Sequence, residues 1–198
     1  MSHEGNTEPG AEAGSSNEFT AAYDHATAGR LPEAEAICRS LLDADPKDAD
    51  ALQLLGGIAQ RSGNVDDAVE LYRRAIVARP GFAKAHSNLG ALLLGQGKTE
   101  EATGHFEKAI ASDPGYGPAH NNLGNIYVQT NRYGDAQAAF EKAVAAEPEN
   151  AVAHNNLGTV FLHHDKFDDA IGHFQKALAL APDLAMAHGN LGEVFREK

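Results

Sequence analysis

The sequence has a single cysteine, Cys38, among its 198 residues. One cysteine excludes an intramolecular disulfide, and its place in an apolar helical pattern favours a small buried residue over a reactive thiol. The chain also lacks any run of about 18 consecutive apolar residues and any charged-then-apolar leader, so it predicts neither a membrane span nor secretion. A cytoplasmic location is therefore expected.

Basic residues are scarce, since 16 Lys and Arg stand against 28 Asp and Glu, for a net charge of −12. A chain without a basic patch is a poor candidate for nucleic acid, and without a cationic amphipathic face it does not predict membrane binding. The acids lie mainly in the N-terminal tail, in helix starts and in junctions, which is typical of a solvated outer face.

Catalytic motifs are absent as well: there is no Gly-rich phosphate loop, nucleophile elbow or metal-binding helix motif. The sequence therefore predicts neither an enzyme nor a cofactor. Four of the ten histidines recur once per 34 residues, at His86, His120, His154 and His188. Packed helices lie about 8–10 Å apart, whereas zinc needs nitrogen ligands about 2 Å away, so no metal site is expected.

What the chain does contain is an internal repeat. The segment from Ala119 to Pro148 reads AHNNLGNIYVQTNRYGDAQAAFEKAVAAEP, and the same frame starts 34 residues earlier at Ala85 and 34 residues later at Ala153. Within one copy, apolar residues recur at helical spacing in two stretches. A period of this length predicts a stacked solenoid of helix pairs.

Recurrent residues mark where each helix begins and ends. The break between paired helices falls on residue types that tolerate left-handed backbone: Gly29, Gly63, Gly97, Asn131 and Asp165. Acidic residues follow in the first turn of the second helix, where the helix dipole favours negative charge. Each second helix should end before a proline: Pro46, Pro80, Pro114, Pro148 and Pro182.

Small residues recur where paired helices must approach closely, above all the glycine of a Leu-Gly pair in the first helix, as at Gly124. This pair, the aromatic residue of the second helix (Tyr72, Phe106, Phe140 and Phe174) and the terminal proline resemble the tetratricopeptide repeat family. The resemblance implies an all-α fold, a right-handed superhelical solenoid of antiparallel helix pairs whose first helices line a concave groove.

The repeat boundaries follow from the same frame. Five full repeats are expected at about 15–48, 49–82, 83–116, 117–150 and 151–184, with a partial one at 185–198. Residues 18–198 then form the solenoid, while the polar Gly-, Ser- and Glu-rich residues 1–17 are expected to be disordered.

Asparagine precedes the Leu-Gly pair in four successive first helices, at Asn88, Asn122, Asn156 and Asn190. Asparagine is a middling helix former, so its recurrence in mid-helix needs an explanation. Either the amides bond to neighbouring helices or are inherited from repeat duplication, or they form a ladder that holds the backbone of an extended peptide. Side chains between the rungs would then select the peptide: Asn121, Asn125, Asn155 and Thr159.

The runs AHSNLG, AHNNLG and AHGNLG resemble the asparagine ladder of O-linked N-acetylglucosamine transferases and their bacterial relatives. That resemblance implies amides that hold a substrate main chain. Thr20 and Leu54 depart from the pattern, so only the last four first helices carry the ladder. No glycosyltransferase domain lies in this sequence, so only the binding role carries over.

Together these features predict a non-enzymatic scaffold that binds an extended protein segment. Two alternatives remain open: the substrate-recognition region of a larger glycosyltransferase-like enzyme, and a self-assembly module. The last predicted helix carries Leu191, Val194 and Phe195 with no partner helix after it. The expectation is a homodimer through this helix, a solvating terminal helix, or a fragment of a longer protein.

Overall fold

The computed structural model describes the backbone of residues 9–198 and the side chains of residues 16–198. These residues form eleven α-helices and no strand, as the all-α prediction requires. The helices are α1 (Pro9–Thr27), α2 (Leu31–Ala44), α3 (Ala49–Arg61), α4 (Val65–Ala78), α5 (Ala83–Gly95), α6 (Thr99–Ser112), α7 (Gly117–Gln129), α8 (Tyr133–Ala146), α9 (Ala151–His163), α10 (Phe167–Leu180) and α11 (Ala185–Glu197).

Helix α1 begins at Pro9, inside the stretch 1–17 for which the sequence predicts disorder. Residues 9–17 are therefore helical, while residues 1–8 lie outside the described part of the chain. Once a helix is nucleated, each further residue adds a hydrogen bond. Alanine and glutamate at positions 11–13 are strong helix formers, so α1 extends beyond its packed segment.

The chain divides into two compact units, one ending at Leu92 and the other beginning at Leu93. In the first unit α1 packs with α2 and α3 with α4, and in the second α7 packs with α8 and α9 with α10. Along the described residues the helix order is that of five pairs followed by α11. This confirms the predicted fold of five helix pairs and one terminal helix.

The predicted breaks between paired helices have left-handed backbone at every position. The φ angles are 78° at Gly29, 84° at Gly63, 76° at Gly97, 58° at Asn131 and 55° at Asp165. At the other end, each second helix is followed by a non-helical residue directly before its proline, which is extended at Asp45, Arg79 and Asp113. Both termination signals of the sequence are thus confirmed.

The glycine of the Leu-Gly pair lies against the aromatic ring of its own second helix. A Cβ atom placed on Gly56 would lie 2.7 Å from the ring of Tyr72, and one on Gly158 would lie 2.7 Å from the ring of Phe174. A Cβ on Gly124 would likewise overlap the Phe140 ring. The close approach predicted for these glycines is therefore a glycine-to-ring contact.

Helix α11 carries the glycine of the Leu-Gly pair, but no aromatic ring lies against it. Gly192 has no atom within 4 Å of the position a Cβ would take. On the same helix Val194 is fully buried against α10, whereas the side chain of Phe195 is 62% exposed. The sequence expectation that this helix leaves apolar surface uncovered agrees with the exposure of Phe195.

Candidate functional site

In the second unit, the first helices α7, α9 and α11 carry the predicted rungs Asn122, Asn156 and Asn190. All three side chains are half-buried. Each sits directly before a leucine that packs inward, so the amide emerges at the edge of the core. The fourth predicted rung, Asn88, is half-buried on α5 in the first unit.

The amide of Asn156 bonds to the preceding first helix. Its Nδ2 donates to Oδ1 of Asn121 at 3.0 Å and to Oδ1 of Asn125 at 3.2 Å. Asn121 and Asn125 lie one turn apart on α7, so a single amide bridges two side chains of the neighbouring repeat.

The amide of Asn190 repeats this arrangement one repeat later. Its Nδ2 donates to Oδ1 of Asn155 at 3.0 Å and to Oγ1 of Thr159 at 3.2 Å. We call these seven side chains the amide face of the second unit: Asn121, Asn122, Asn125, Asn155, Asn156, Thr159 and Asn190. In this face, Asn156 and Asn190 join successive first helices, which is the structural alternative that the sequence left open.

This bonding decides which atoms remain for a ligand. An amide nitrogen has two N–H groups, and both are used in Asn156 and in Asn190. Their Oδ1 atoms are less engaged, since Asn156 Oδ1 accepts only one long contact, from Nδ2 of Asn155 at 3.5 Å. These two rungs therefore offer hydrogen-bond acceptors, not the donor-acceptor pair that the sequence suggested.

The side chains between the rungs are engaged in the hydrogen bonds of the amide face. Asn121, Asn125 and Thr159 accept from the rungs, and all three remain half-buried. Asn155 is only 3% exposed. This burial leaves Asn155 little surface to offer a peptide, although the sequence grouped it with the selecting side chains.

The first unit presents different chemistry on its first helices. Leu54 takes the register of the rungs and is buried, and it lines a small cavity of about 180 Å³ beside Tyr23. The ammonium of Lys84 lies 5.7 Å from the centre of the Tyr23 ring, a cation–π distance. Arg61 Nη1 donates to the backbone carbonyl of Ala26 at 2.6 Å. Around α3 the surface is therefore apolar and cationic, where α7, α9 and α11 of the second unit carry amides.

The recurrent histidines fix the loop that precedes each first helix. Nε2 of His120 donates to the carbonyl oxygen of Pro114 at 2.9 Å, six residues upstream. The same bond recurs at His86, His154 and His188 with distances of 2.9, 3.0 and 2.8 Å. From the sequence these residues were considered as metal ligands and the bond was missed, although the constant offset to the proline was a signal for it.

Residues 16–198 bring together no group of three or more His, Cys, Asp or Glu side chains fit to hold a metal ion. Two histidines do lie close together, with Nδ1 of His154 3.1 Å from Nδ1 of His173. Because Nε2 of a neutral His154 carries the proton given to Pro148, its Nδ1 accepts and His173 donates. Burial, followed by the neighbouring His154, lowers the pKa of His173 below its ordinary value of 6.5.

Cys38 fills the register that holds an aromatic ring in the later second helices. The side chain is fully buried, and burial raises the pKa of its thiol to about 11. A thiol that stays protonated is a poor nucleophile, which agrees with the expected structural role. Within the described part of the chain, no helix is long and apolar enough to cross a membrane.

The repeats of this chain are similar to those of a known protein family. A family model for the tetratricopeptide repeat matches residues 19–81, 54–117 and 121–185. No curated protein sequence matches the chain.

Solved structures give several likenesses. MamA is 26% identical, with a TM-score of 0.64 over 83% of this chain and 96% of that one. A thermophilic TPR protein from Thermus thermophilus, TTC0263, is 21% identical, with a TM-score of 0.72 over 92% of this chain and 99% of that one. YrrB, described as a TPR protein with an unusual peptide-binding site, is 19% identical, with a TM-score of 0.61 over 87% and 89%.

Proposed function

Because the chain belongs to the tetratricopeptide repeat family, we propose that it is a non-enzymatic protein-interaction scaffold that binds an extended peptide. The binding surface is the amide face of the second unit. The observation that carries the proposal is the orientation of Asn156 and Asn190, whose nitrogens are held by the preceding helix. Their oxygens are thereby fixed as acceptors for backbone N–H groups.

The size of the bound segment follows from the spacing of the rungs. Successive helices pack about 10 Å apart, so Asn122, Asn156 and Asn190 span about 20 Å. An extended peptide rises about 3.3 Å per residue, so the face engages about six residues of backbone. The predicted fourth rung, Asn88, belongs to the other unit and is left out of this length.

The number of rungs also limits the free energy with which the amide face can bind a peptide backbone. A neutral hydrogen bond contributes about 0.5–1.5 kcal/mol net, so three rungs supply about 1.5–4.5 kcal/mol. A micromolar complex needs about 8 kcal/mol. Backbone capture by this face is therefore weak and tolerant of sequence, and the partner's side chains supply the remaining affinity.

The structural neighbour YrrB is described as a TPR protein with an unusual peptide-binding site. At 19% identity this likeness extends to the fold alone. The case for a peptide therefore rests on the amide face and on the family.

The test uses a fluorescein-labelled pool of random nine-residue peptides with blocked ends, followed by anisotropy. The matched pool carries N-methyl groups on alternate backbone amides and so lacks those N–H donors. We expect the methylated pool to bind at least tenfold more weakly. Equal binding of the two pools would show that backbone N–H groups are not recognised.

A triple substitution tests the face itself: Asn122→Ala, Asn156→Ala and Asn190→Ala together should weaken binding of the unmethylated pool at least tenfold. Gln175→Ala is the matched control, since it removes an exposed amide from the second helix α10. Binding is measured well below the melting temperature of each variant, because the triple variant also loses hydrogen bonds between repeats. A triple variant that stays folded and binds as the wild type does would contradict the proposal.

Self-assembly is the second candidate function, favoured by the exposed Met186 and Phe195 on α11, which are 55% and 62% exposed. In this reading two copies pair through α11 and cover both side chains. Sedimentation equilibrium of the wild type and of Phe195→Ser decides it, because only the wild type should dimerise. The role as a recognition region of a larger glycosyltransferase-like enzyme, and the cytoplasmic location, stay predictions from the sequence.

A further inference from the structure

A cleft of about 540 Å³ opens in the first unit between the second helices α2 and α4, with α3 beneath it. We call it the outer cleft. Apolar side chains line it, Leu55 and Ile58 from α3, Leu42 from α2 and Leu71 from α4. Its volume falls in the range of about 300–1,000 Å³ that is usual for ligand sites.

The cleft is open because one side chain on α3 is small. Ala59 lines it and is half-buried, and three repeat periods further on the same register is Phe161. The Phe161 ring packs against the apolar clusters of α8 and α10, and it stacks on His173 with ring centres 5.4 Å apart. In the second unit the chain thus fills this place with an aromatic ring of its own, which shows what kind of group the outer cleft is shaped to hold.

The charges around the cleft also differ between the units. Four carboxylates line the cleft against two guanidinium groups: Glu35, Asp43, Asp67 and Glu70 against Arg39 and Arg74. Arg39 pairs with Glu35 at 2.7 Å. Among the residues that the structure describes, the other three carboxylates form no ion pair. In the second unit the four acidic registers hold Gln137, Ala145, Asp169 and Gly172, while the registers of Arg39 and Arg74 hold Glu141 and Lys176, so two acids stand against one cation there.

We propose that the outer cleft is a docking site for a partner segment in which an aromatic side chain is flanked by Lys or Arg. The ring enters over Ala59 as Phe161 does in the second unit, and the flanking cations meet Asp43, Asp67 and Glu70. A second copy of this chain is the alternative occupant, since its Phe195 is exposed directly before Arg196. The site lies on the second-helix side of the first unit and is separate from the amide face.

The probe is a fluorescein-labelled, end-blocked peptide that contains Lys-Phe-Arg among alanines, titrated with the full chain. Two matched peptides replace the phenylalanine by alanine or the two cations by glutamate. We expect each replacement to weaken binding at least tenfold, and added salt to weaken only the cationic peptides. Equal binding of the phenylalanine and alanine peptides would overturn the proposal, since the cleft would then recognise charge alone.

Ala59→Phe should fill the cleft from within and weaken the Lys-Phe-Arg peptide at least tenfold without lowering the melting temperature. Asp43→Asn with Glu70→Gln should weaken it severalfold and reduce the salt dependence. Gln175→Ala, which removes an exposed amide from α10 outside both surfaces, is the control and should leave cleft binding unchanged. If Ala59→Phe binds the peptide as the wild type does, the proposal is wrong. If the chain self-associates and Ala59→Phe alone abolishes this, the occupant is a second copy and the proposed partner is overturned.

Discussion

Helix α3 of the first unit and helix α9 of the second share one frame and differ at two registers. Where α9 has Asn156, α3 has Leu54, and where α9 has Phe161, α3 has Ala59. The frame residues do not differ: glycine lies against a ring in both, at Gly56 and at Gly158. The comparison teaches that the repeat fold is set by a few recurrent contacts, while the binding surface is set by registers those contacts leave free.

Each difference has a local consequence. At the rung register, leucine builds an apolar wall beside Tyr23, whereas asparagine builds a chain of amide hydrogen bonds. At the other register, alanine leaves a cleft where phenylalanine fills it. Neither change alters the helices that carry it.

The largest expected effect tests the shared frame. Gly56→Val in the first unit and Gly124→Val in the second should each destabilise the fold by about 1–3 kcal/mol, because the added atoms overlap a buried ring. Gly192→Val is the matched control, since nothing lies within 4 Å there. Thermal unfolding followed by circular dichroism measures all three. A Gly192→Val variant as unstable as Gly124→Val would show that the cost does not come from the ring.

A smaller effect tests the amide network. Asn156→Ala removes two side-chain hydrogen bonds to the neighbouring repeat and should cost about 1–3 kcal/mol, at about 0.5–1.5 kcal/mol each. Urea unfolding of this variant, with Gln175→Ala beside it, provides the measurement. If both variants unfold at the same urea concentration as the wild type, the network contributes nothing to the stability of the repeats.

The smallest expected effect is a pH dependence of stability that comes from the second unit alone. Burial lowers the pKa of His173, so the folded chain holds fewer protons than the unfolded chain below pH 6.5. Stability should therefore fall as the pH drops from 6.5 through the lowered pKa, and be regained on raising it. The first unit has Leu71 in this register and lacks the effect. His173→Leu should flatten the dependence of the melting temperature on pH over this window, and an unchanged slope would contradict the assignment.

Much of the frame could be predicted from the sequence because its signals are local. A left-handed glycine, asparagine or aspartate and a terminal proline act on their own backbone, so the breaks at Asn131 and Asp165 needed no tertiary information. Composition predicted disorder for residues 1–17, and α1 nevertheless begins at Pro9, because composition alone does not show that a helix can extend into a polar segment.

The candidate site was predicted less completely. The recurrence of asparagine was visible, but its partners lie 31 and 35 residues away and depend on how successive helices pack. The burial of Asn155 follows from that packing as well. The outer cleft did have a sequence signal, since Ala59 stands where Tyr127 and Phe161 stand in later repeats. This difference points to a cleft only once the structure shows the Phe161 ring filling the equivalent place in the second unit.

The central claim is that the amide face of the second unit binds peptide backbone through asparagine oxygens. Chemical-shift mapping of the full chain with the random nine-residue peptide pool tests it most directly. The account predicts shifts on α7, α9 and α11, including the side-chain amides of Asn122, Asn156 and Asn190, and their loss with the N-methylated pool. Shifts confined to the second helices α8 and α10, or equal shifts with both pools, would contradict it.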